Sequence, residues 1–229
     1  MAEPLIITPR TVRKTAGTND GPLTRAPFVA IDIETTGINP QAARIIEIGA
    51  VRMNHRGDVL EKFSSLANPG YDVPLNPQAQ KVHGITPNMV WSAPPIADVL
   101  DQLIRFVGPH GLVAHNLAFE NRFLTAEYDR IGQRPDWQGI CTLAASRALV
   151  SAPNYKLATL IDLLELSAVN DHRATTDAHA CGLLLSTLIT RCHASSLDPV
   201  APAGSLAGRA DKRRPEAAAH RPQPRYPRP

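Results

Sequence analysis

The sequence predicts an α/β domain built on a mixed sheet, and three observations carry that prediction. Three strand-like segments follow one another through short turns near the start. Beyond them, segments with helical apolar spacing alternate with short apolar runs. Both ends of the chain lack either period.

Phe28-Val29-Ala30-Ile31-Asp32-Ile33-Glu34 is rich in β-branched residues and reads as a strand ended by Gly37. Arg44 to Met53 (RIIEIGAVRM) reads as a second strand. The turn signal Asn54-His55-Arg56-Gly57 leads into a third near Val59–Leu66. Short turns between the three make an antiparallel meander. Ile96–Val107 places Ile96, Val99, Leu100, Leu103, Ile104 and Val107 on one helical face. Gly111–His115 is a short buried strand, Leu117–Ile131 a helix, and Ile140–Thr142 a last edge strand. Leu157–Leu166 and Thr176–Arg191 read as the remaining helices. Meander first, then alternation, implies a mixed sheet with parallel strands added and helices packed on it.

Residues 1–26 are polar and punctuated by prolines, and residues 194–229 are dominated by proline, alanine and arginine. Segments of that kind bury too little apolar surface to offset their ordering entropy. One folded domain over 27–193 between two flexible ends is expected. The basic tail reads as solvated chain, or as a loose nucleic-acid or partner contact without sequence choice.

Hydrophobic residues make up 43% of the 229, enough for a buried core. No run approaches the ~18 apolar residues of a membrane span. The three cysteines (Cys141, Cys181, Cys192) form no C-x-x-C pair, which argues against a disulfide framework or a zinc knuckle. A cytoplasmic protein without membrane partners is expected. Net charge is +3; residues 1–26 hold +2 of it and residues 200–229 hold +5, so the centre stands at −4. An acidic centre repels a phosphate backbone unless bound cations neutralise it.

Three segments supply candidate ligands for such cations. Asp32 and Glu34, two apart on a strand, share one face, while Ile31 and Ile33 point to the core. Paired carboxylates on an apolar strand lose solvation and repel each other, and a magnesium or manganese ion relieves both. Taken alone, the pair also fits a solvated strand end. Glu120, in His115-Asn116-Leu117-Ala118-Phe119-Glu120, falls in the first turns of a helix, where the dipole alone favours an acid. His172 and Asp177 are five apart and do not share a helical face. For both to act at one site, His172 must lie on the preceding loop and Asp177 in the first turn, with Thr175 and Thr176 as capping residues. Together, four carboxylates and a histidine could hold two metal ions about 4 Å apart, with the histidine taking a proton from water.

In this order the residues resemble the DnaQ-like 3′→5′ exonucleases of the DEDDh type, the superfamily of the DNA polymerase III epsilon proofreading subunit. The resemblance covers roughly residues 26–192. D-x-E-T-T-G is matched by Asp32 to Gly37, H-N-x-x-F-D at His115, Asn116 and Phe119, and H-x-x-x-x-D by His172 and Asp177. Arg44 to Val51 and Val82-His83-Gly84-Ile85-Thr86 are similar to supporting stretches. The resemblance implies an RNase H-like fold, two Mg²⁺ or Mn²⁺ ions, and release of nucleoside monophosphates from the single-stranded 3′ end of DNA. It implies that Asp32 bridges both ions, Glu34 and Asp177 ligate the first, and His172 is the general base. Thr35, Thr36, His83, Asn116 and Phe119 would bind the terminal nucleotide.

One departure stands out: Glu120 occupies a position where the family has aspartate. Its extra methylene shifts a bound ion by about an ångström, an error of the size that can cost ~10²-fold. Two other readings share the sequence. One is an RNA-trimming exoribonuclease of the same superfamily. The other is a nucleic-acid- or polymerase-binding module that has lost activity. Thr35-Thr36 matches the epsilon-type motif better than the oligoribonuclease type, which favours DNA. Association with a DNA polymerase stays open, since the tail holds no glutamine-leucine clamp-binding pattern.

Overall fold

A computed structural model describes residues 26–191, Tyr71 excepted. The expected meander is present as β1 (Phe28–Thr35), β2 (Ile45–Met53) and β3 (Val59–Leu66). Next come α1 (Pro77–His83), α2 (Pro87–Trp91), α3 (Ile96–Val107), β4 (Leu112–Ala114) and α4 (Leu117–Arg130). The remainder is β5 (Gly139–Cys141), α5 (Thr142–Leu149), α6 (Leu157–Leu163) and α7 (Ala174–Arg191). The five strands lie in the order β3-β2-β1-β4-β5. The pairs β1–β2 and β2–β3 are antiparallel; β1–β4 and β4–β5 are parallel. The mixed sheet read from the sequence is thus observed, with β5 on an edge. The flexible ends expected at 1–26 and 194–229, and Cys192, lie outside the described residues, Ala26 apart.

Alternation along β1 divides the core. Val29, Ile31 and Ile33 pack against Val99, Leu100 and Leu103 of α3 and Phe123 and Leu124 of α4. Phe28 and Ala30, on the opposite face, pack against Ala178, Cys181, Leu184, Leu185 and Leu188 of α7. Covering both faces is why β1 and β2 read as nearly continuous apolar runs.

Three helices were not expected from the sequence: α1, α2 and α5. Each is eight residues or shorter, too short for apolar spacing to register. The start signals of the first two are nonetheless present. Asn76 accepts a hydrogen bond from the Gln78 N–H and Thr86 one from the Met89 N–H, each followed by proline at the first helical position. At the other extreme, α7 begins at Ala174, two residues before the expected start.

Two glycines and one buried acid set the helices on the sheet. A Cβ on Gly49 of β2 would overlap the backbone of Ala174 and Thr175, and one on Gly182 of α7 would overlap the Met53 side chain. Their absence of side chains lets α7 lie directly on β1 and β2. Glu127 of α4, 0% exposed, accepts hydrogen bonds from Arg44 Nε (2.7 Å) and Nη2 (2.8 Å) and from the Ile45 N–H (3.2 Å). That buried pair moors α4 at the start of β2.

Because the obstacle at Gly49 is backbone, relaxation by side-chain rotation is not available. Gly49→Ala is therefore expected to cost about 3 kcal/mol, the upper end of ordinary overpacking. Urea unfolding monitored by circular dichroism measures this, and a loss under about 0.5 kcal/mol would show that α7 can shift freely.

Candidate active site

Asp32 and Glu34 follow Phe28 and Ala30 on the α7 side of β1, two residues apart along the strand. Both are half-buried, at the end of the strand that α7 does not roof over completely. Asp177 lies in the first turn of α7 and is 6% exposed. One carboxylate oxygen from each of Asp32, Glu34 and Asp177 lies within 4.8 Å of the other two. Glu120, in the first turn of α4, is 4% exposed and stands outside that trio. Its charge is nevertheless the strongest that Asp32 feels.

His172 is exposed on the turn before α7 and adopts φ +58°, in the left-handed region. The turn resolves the five-residue spacing as expected, with His172 ahead of the helix and Asp177 inside it. His172 lies close enough for its charge to lower the Asp177 pKa. The capping expectation needs correction. Thr175 and Thr176 lie within α7, and the Ala174 N–H donates instead to Glu47 Oε2 of β2 (3.2 Å). A carboxylate on a neighbouring strand outcompetes a local hydroxyl because it is ionic and already buried beside the helix end.

The electrostatics are those of crowded acids. Asp32 is pushed well above the carboxylate range, first by burial and then by Glu120, Glu34 and Asp177. Burial and then Glu47 and Asp177 push Glu34 up to about 8. Burial pushes Glu120 to about 8. Asp177 is raised chiefly by burial, with Asn170 and His172 pulling the other way. Glu120 Oε2 and Asp177 Oδ1 are buried without a hydrogen-bond partner among the described residues. Hard oxygen donors, crowded, desolvated and unpaired, fit a divalent cation.

The residues expected to bind a nucleotide are engaged within the protein to different degrees. The Thr35 hydroxyl donates to the Gly37 carbonyl (2.7 Å), and Thr36 Oγ1 accepts the Arg44 N–H (3.0 Å). Both hydroxyls thus brace the turn after β1. His83, 6% exposed, accepts the Ile85 N–H at Nδ1 (3.0 Å), so its proton sits on Nε2, which is buried and unpaired. Burial lowers its pKa and keeps the ring neutral. Asn116 is exposed at the start of α4, its side chain making no cap hydrogen bond. Phe119 is half-buried, its ring 4.9 Å from that of Phe123. It belongs to the rim of the core.

Sequence reasoning missed two supports. Glu47, 1% exposed, pairs in register with Glu34 and binds Arg173 through Nε (3.2 Å) and Nη2 (2.8 Å). A lone acid in the apolar run Ile45-Ile46-Glu47-Ile48 was the signal, because a carboxylate buried in a strand requires a partner. His115 binds Thr142 Oγ1 through Nδ1 (3.0 Å) and the Tyr155 carbonyl through Nε2 (2.9 Å). A carbonyl only accepts, so Nε2 carries the proton and Nδ1 accepts from Thr142, linking the starts of α4 and α5.

A mixed sheet whose central strand presents clustered, cation-poor carboxylates defines the class of metal-dependent nucleases. The RNase T exonuclease family model matches residues 29–185, and the chain belongs to the DnaQ-like (DEDDh) exonuclease family. It is 37% identical over 166 residues to the PolC-type DNA polymerase III of Oceanobacillus iheyensis, covering 72% of this chain and 11% of that protein. It is 34% identical over 166 residues to the DNA polymerase III epsilon subunit of Treponema pallidum, covering 71% of this chain and 76% of that one. Exonuclease X in complex with 5′ overhanging duplex DNA is similar in structure, with a TM-score of 0.59 and 28% identity over 73% of this chain and 99% of that one. The chain spans 11 to 13% of the length of the PolC-type relatives it matches. Among the described residues no helix is long and apolar enough to cross a membrane.

The raised carboxylates have a consequence for stability. Glu34 and Glu120 hold protons up to about pH 8 in the folded chain, against 4.5 for the ordinary group. The folded state therefore binds more protons than the unfolded one across that window, and stability falls as pH rises through it. In EDTA, the melting temperature is expected to drop by several degrees between about pH 5.5 and pH 8.5. Saturating Mg²⁺ or Mn²⁺ is expected to raise it, and more at the higher pH, where the ion no longer competes with protons. A melting temperature that climbs with pH in EDTA would contradict this picture.

Proposed function

We propose that this chain removes nucleotides one at a time from the 3′ end of single-stranded DNA by metal-dependent hydrolysis, in proofreading or repair. The observation that carries the reading is the convergence of Asp32, Glu34 and Asp177 within 4.8 Å, with Glu120 acting on Asp32 from outside the trio. Asp32, Glu34 and Asp177, with Glu120 beside them, are the residues that would hold the two ions. Mg²⁺ or Mn²⁺ suits this all-oxygen set, and when bound would supply Lewis acidity and positive charge at the scissile phosphate.

The chain's own groups do the rest. His172, exposed beside Asp177, accepts the proton of the attacking water. His83 offers its Nε2–H as a donor to the terminal nucleotide, and the exposed Asn116 its amide. Phe119 presents a ring on which a base can stack. The braced turn of Thr35 and Thr36 offers backbone and methyl groups, since its hydroxyls are engaged. DNA is favoured over RNA by the epsilon-like Thr35-Thr36 motif and by likeness to proteins named for DNA polymerase III. Association with a polymerase is the natural extension of that likeness.

Incubating 5′-labelled single-stranded DNA and RNA of matched sequence with Mg²⁺, Mn²⁺ or EDTA tests the reading. A ladder shortening from the 3′ end, faster on DNA and absent in EDTA, is expected. Asp32→Ala should lower kcat by at least ~10³-fold and His172→Ala by ~10²- to 10⁴-fold. Binding without cleavage under all conditions would sink it. A separate prediction concerns Glu120. With α4 moored by Glu127 for a glutamate's reach, Glu120→Asp withdraws the carboxylate by about an ångström and should lower kcat ~10- to 10²-fold. A gain in activity would identify the glutamate as an impairment.

A further inference from the structure

We propose that Glu47 is a positioning residue, whose carboxylate, gripping Arg173 and the first amide of α7, holds the turn that presents His172 to the carboxylate cluster. The inference deepens the proposed function and rests on it for the role of His172.

The first support is where Glu47 sits and what it touches. It is 1% exposed on β2, directly across from Glu34. Its hydrogen bonds run to Arg173 Nε (3.2 and 3.4 Å), Arg173 Nη2 (2.8 Å) and the Ala174 N–H (3.2 Å). All of them fall on the two residues that follow His172.

The second support is the state of His172 itself. Its side chain is exposed and makes no hydrogen bond among the described residues, so its place is set through the backbone. That backbone lies at φ +58°, a left-handed conformation that residues with a Cβ adopt uncommonly and at a small cost. Asp171 Oδ1 receives the Arg173 N–H (3.2 Å), which shapes the turn locally but does not attach it to the sheet. The Glu47 contacts do attach it, from a strand that Gly49 brings against Ala174 and Thr175.

The third support is charge. The Arg173 guanidinium, 2.8 Å from the Glu47 carboxylate, sets an opposite charge on an acid that stands across the strand pair from Glu34. Among the described residues that arginine, its side chain 49% exposed, is the salt-bridge partner of Glu47.

Glu47→Gln, Arg173→Lys and the double variant of the full chain test the proposal. Each single change should lower kcat ~10- to 10²-fold, as loss of a supporting partner does, with KM for single-stranded DNA held within about twofold. The double should be no worse than the poorer single, because one interaction is removed in all three. By amide hydrogen exchange, His172 to Thr175 should exchange at least tenfold faster, while protection of β1 and β2 stays unchanged. Arg173→Lys removes the planar fork from a half-exposed position, so it reports even if Glu47→Gln folds poorly. Unchanged kcat, additive losses, or loss of sheet protection together with turn protection would overturn the proposal. Should the unaltered chain cleave nothing, the functional reading falls on that result. Unaltered exchange at the turn would then reject the clamp by itself.

Discussion

The close seating of α7 on β1 and β2 is the constraint on which the rest of this structure depends. Gly49 admits the backbone at the start of the helix, and Gly182 admits the sheet's side chains further along. Between those two points the helix can only run over Ala30 and past Asp32, which brings Asp177 to the carboxylates of β1. A helix held a side chain's thickness away would leave the same acids too far apart to share an ion. Site geometry here is a product of backbone packing.

The buried acids fall into two groups with different counter-charges. Glu127 has Arg44 and Arg130, and Glu47 has Arg173. These pairs connect elements: α4 to the residue before β2, and the turn before α7 to the third residue of β2. Asp32, Glu34, Glu120 and Asp177 show no salt bridge among the described residues, and all are raised. Burying a charge without a partner is expensive, so four neighbouring acids without arginines are the candidate ligands for an external cation. The acidic centre of the chain, at −4, acquires a purpose in the same way.

The candidate site combines braced side chains with exposed ones. Thr35, Thr36 and His115 spend their hydrogen bonds on the protein, which stiffens the walls. His172 stands exposed on a turn in a left-handed backbone conformation, and Asn116 is exposed at the start of α4. In the proposed reaction, precision in that turn matters because a proton acceptor misplaced by an ångström loses much of its effect.

Much of this was legible in the residues. β1 and α3 announce themselves by period, and the strand ends and turn residues set the meander with bounds that differ by a residue or so. The pairing of Asp32 with Glu34 follows from the two-residue repeat of any strand, and the separation of His172 from Asp177 follows from helical geometry. Three short helices escaped because a turn or two of chain carries no measurable period. What sequence alone determined was therefore local: which segments are strands or helices, and which acids share a face. Only the tertiary structure decided which acids meet, that Glu120 stands apart from the trio, and that Glu47 rather than a threonine caps α7. Those outcomes depend on contacts between residues far apart in the chain, 126 apart for Glu47 and Arg173, and no local pattern encodes the partner of a buried charge.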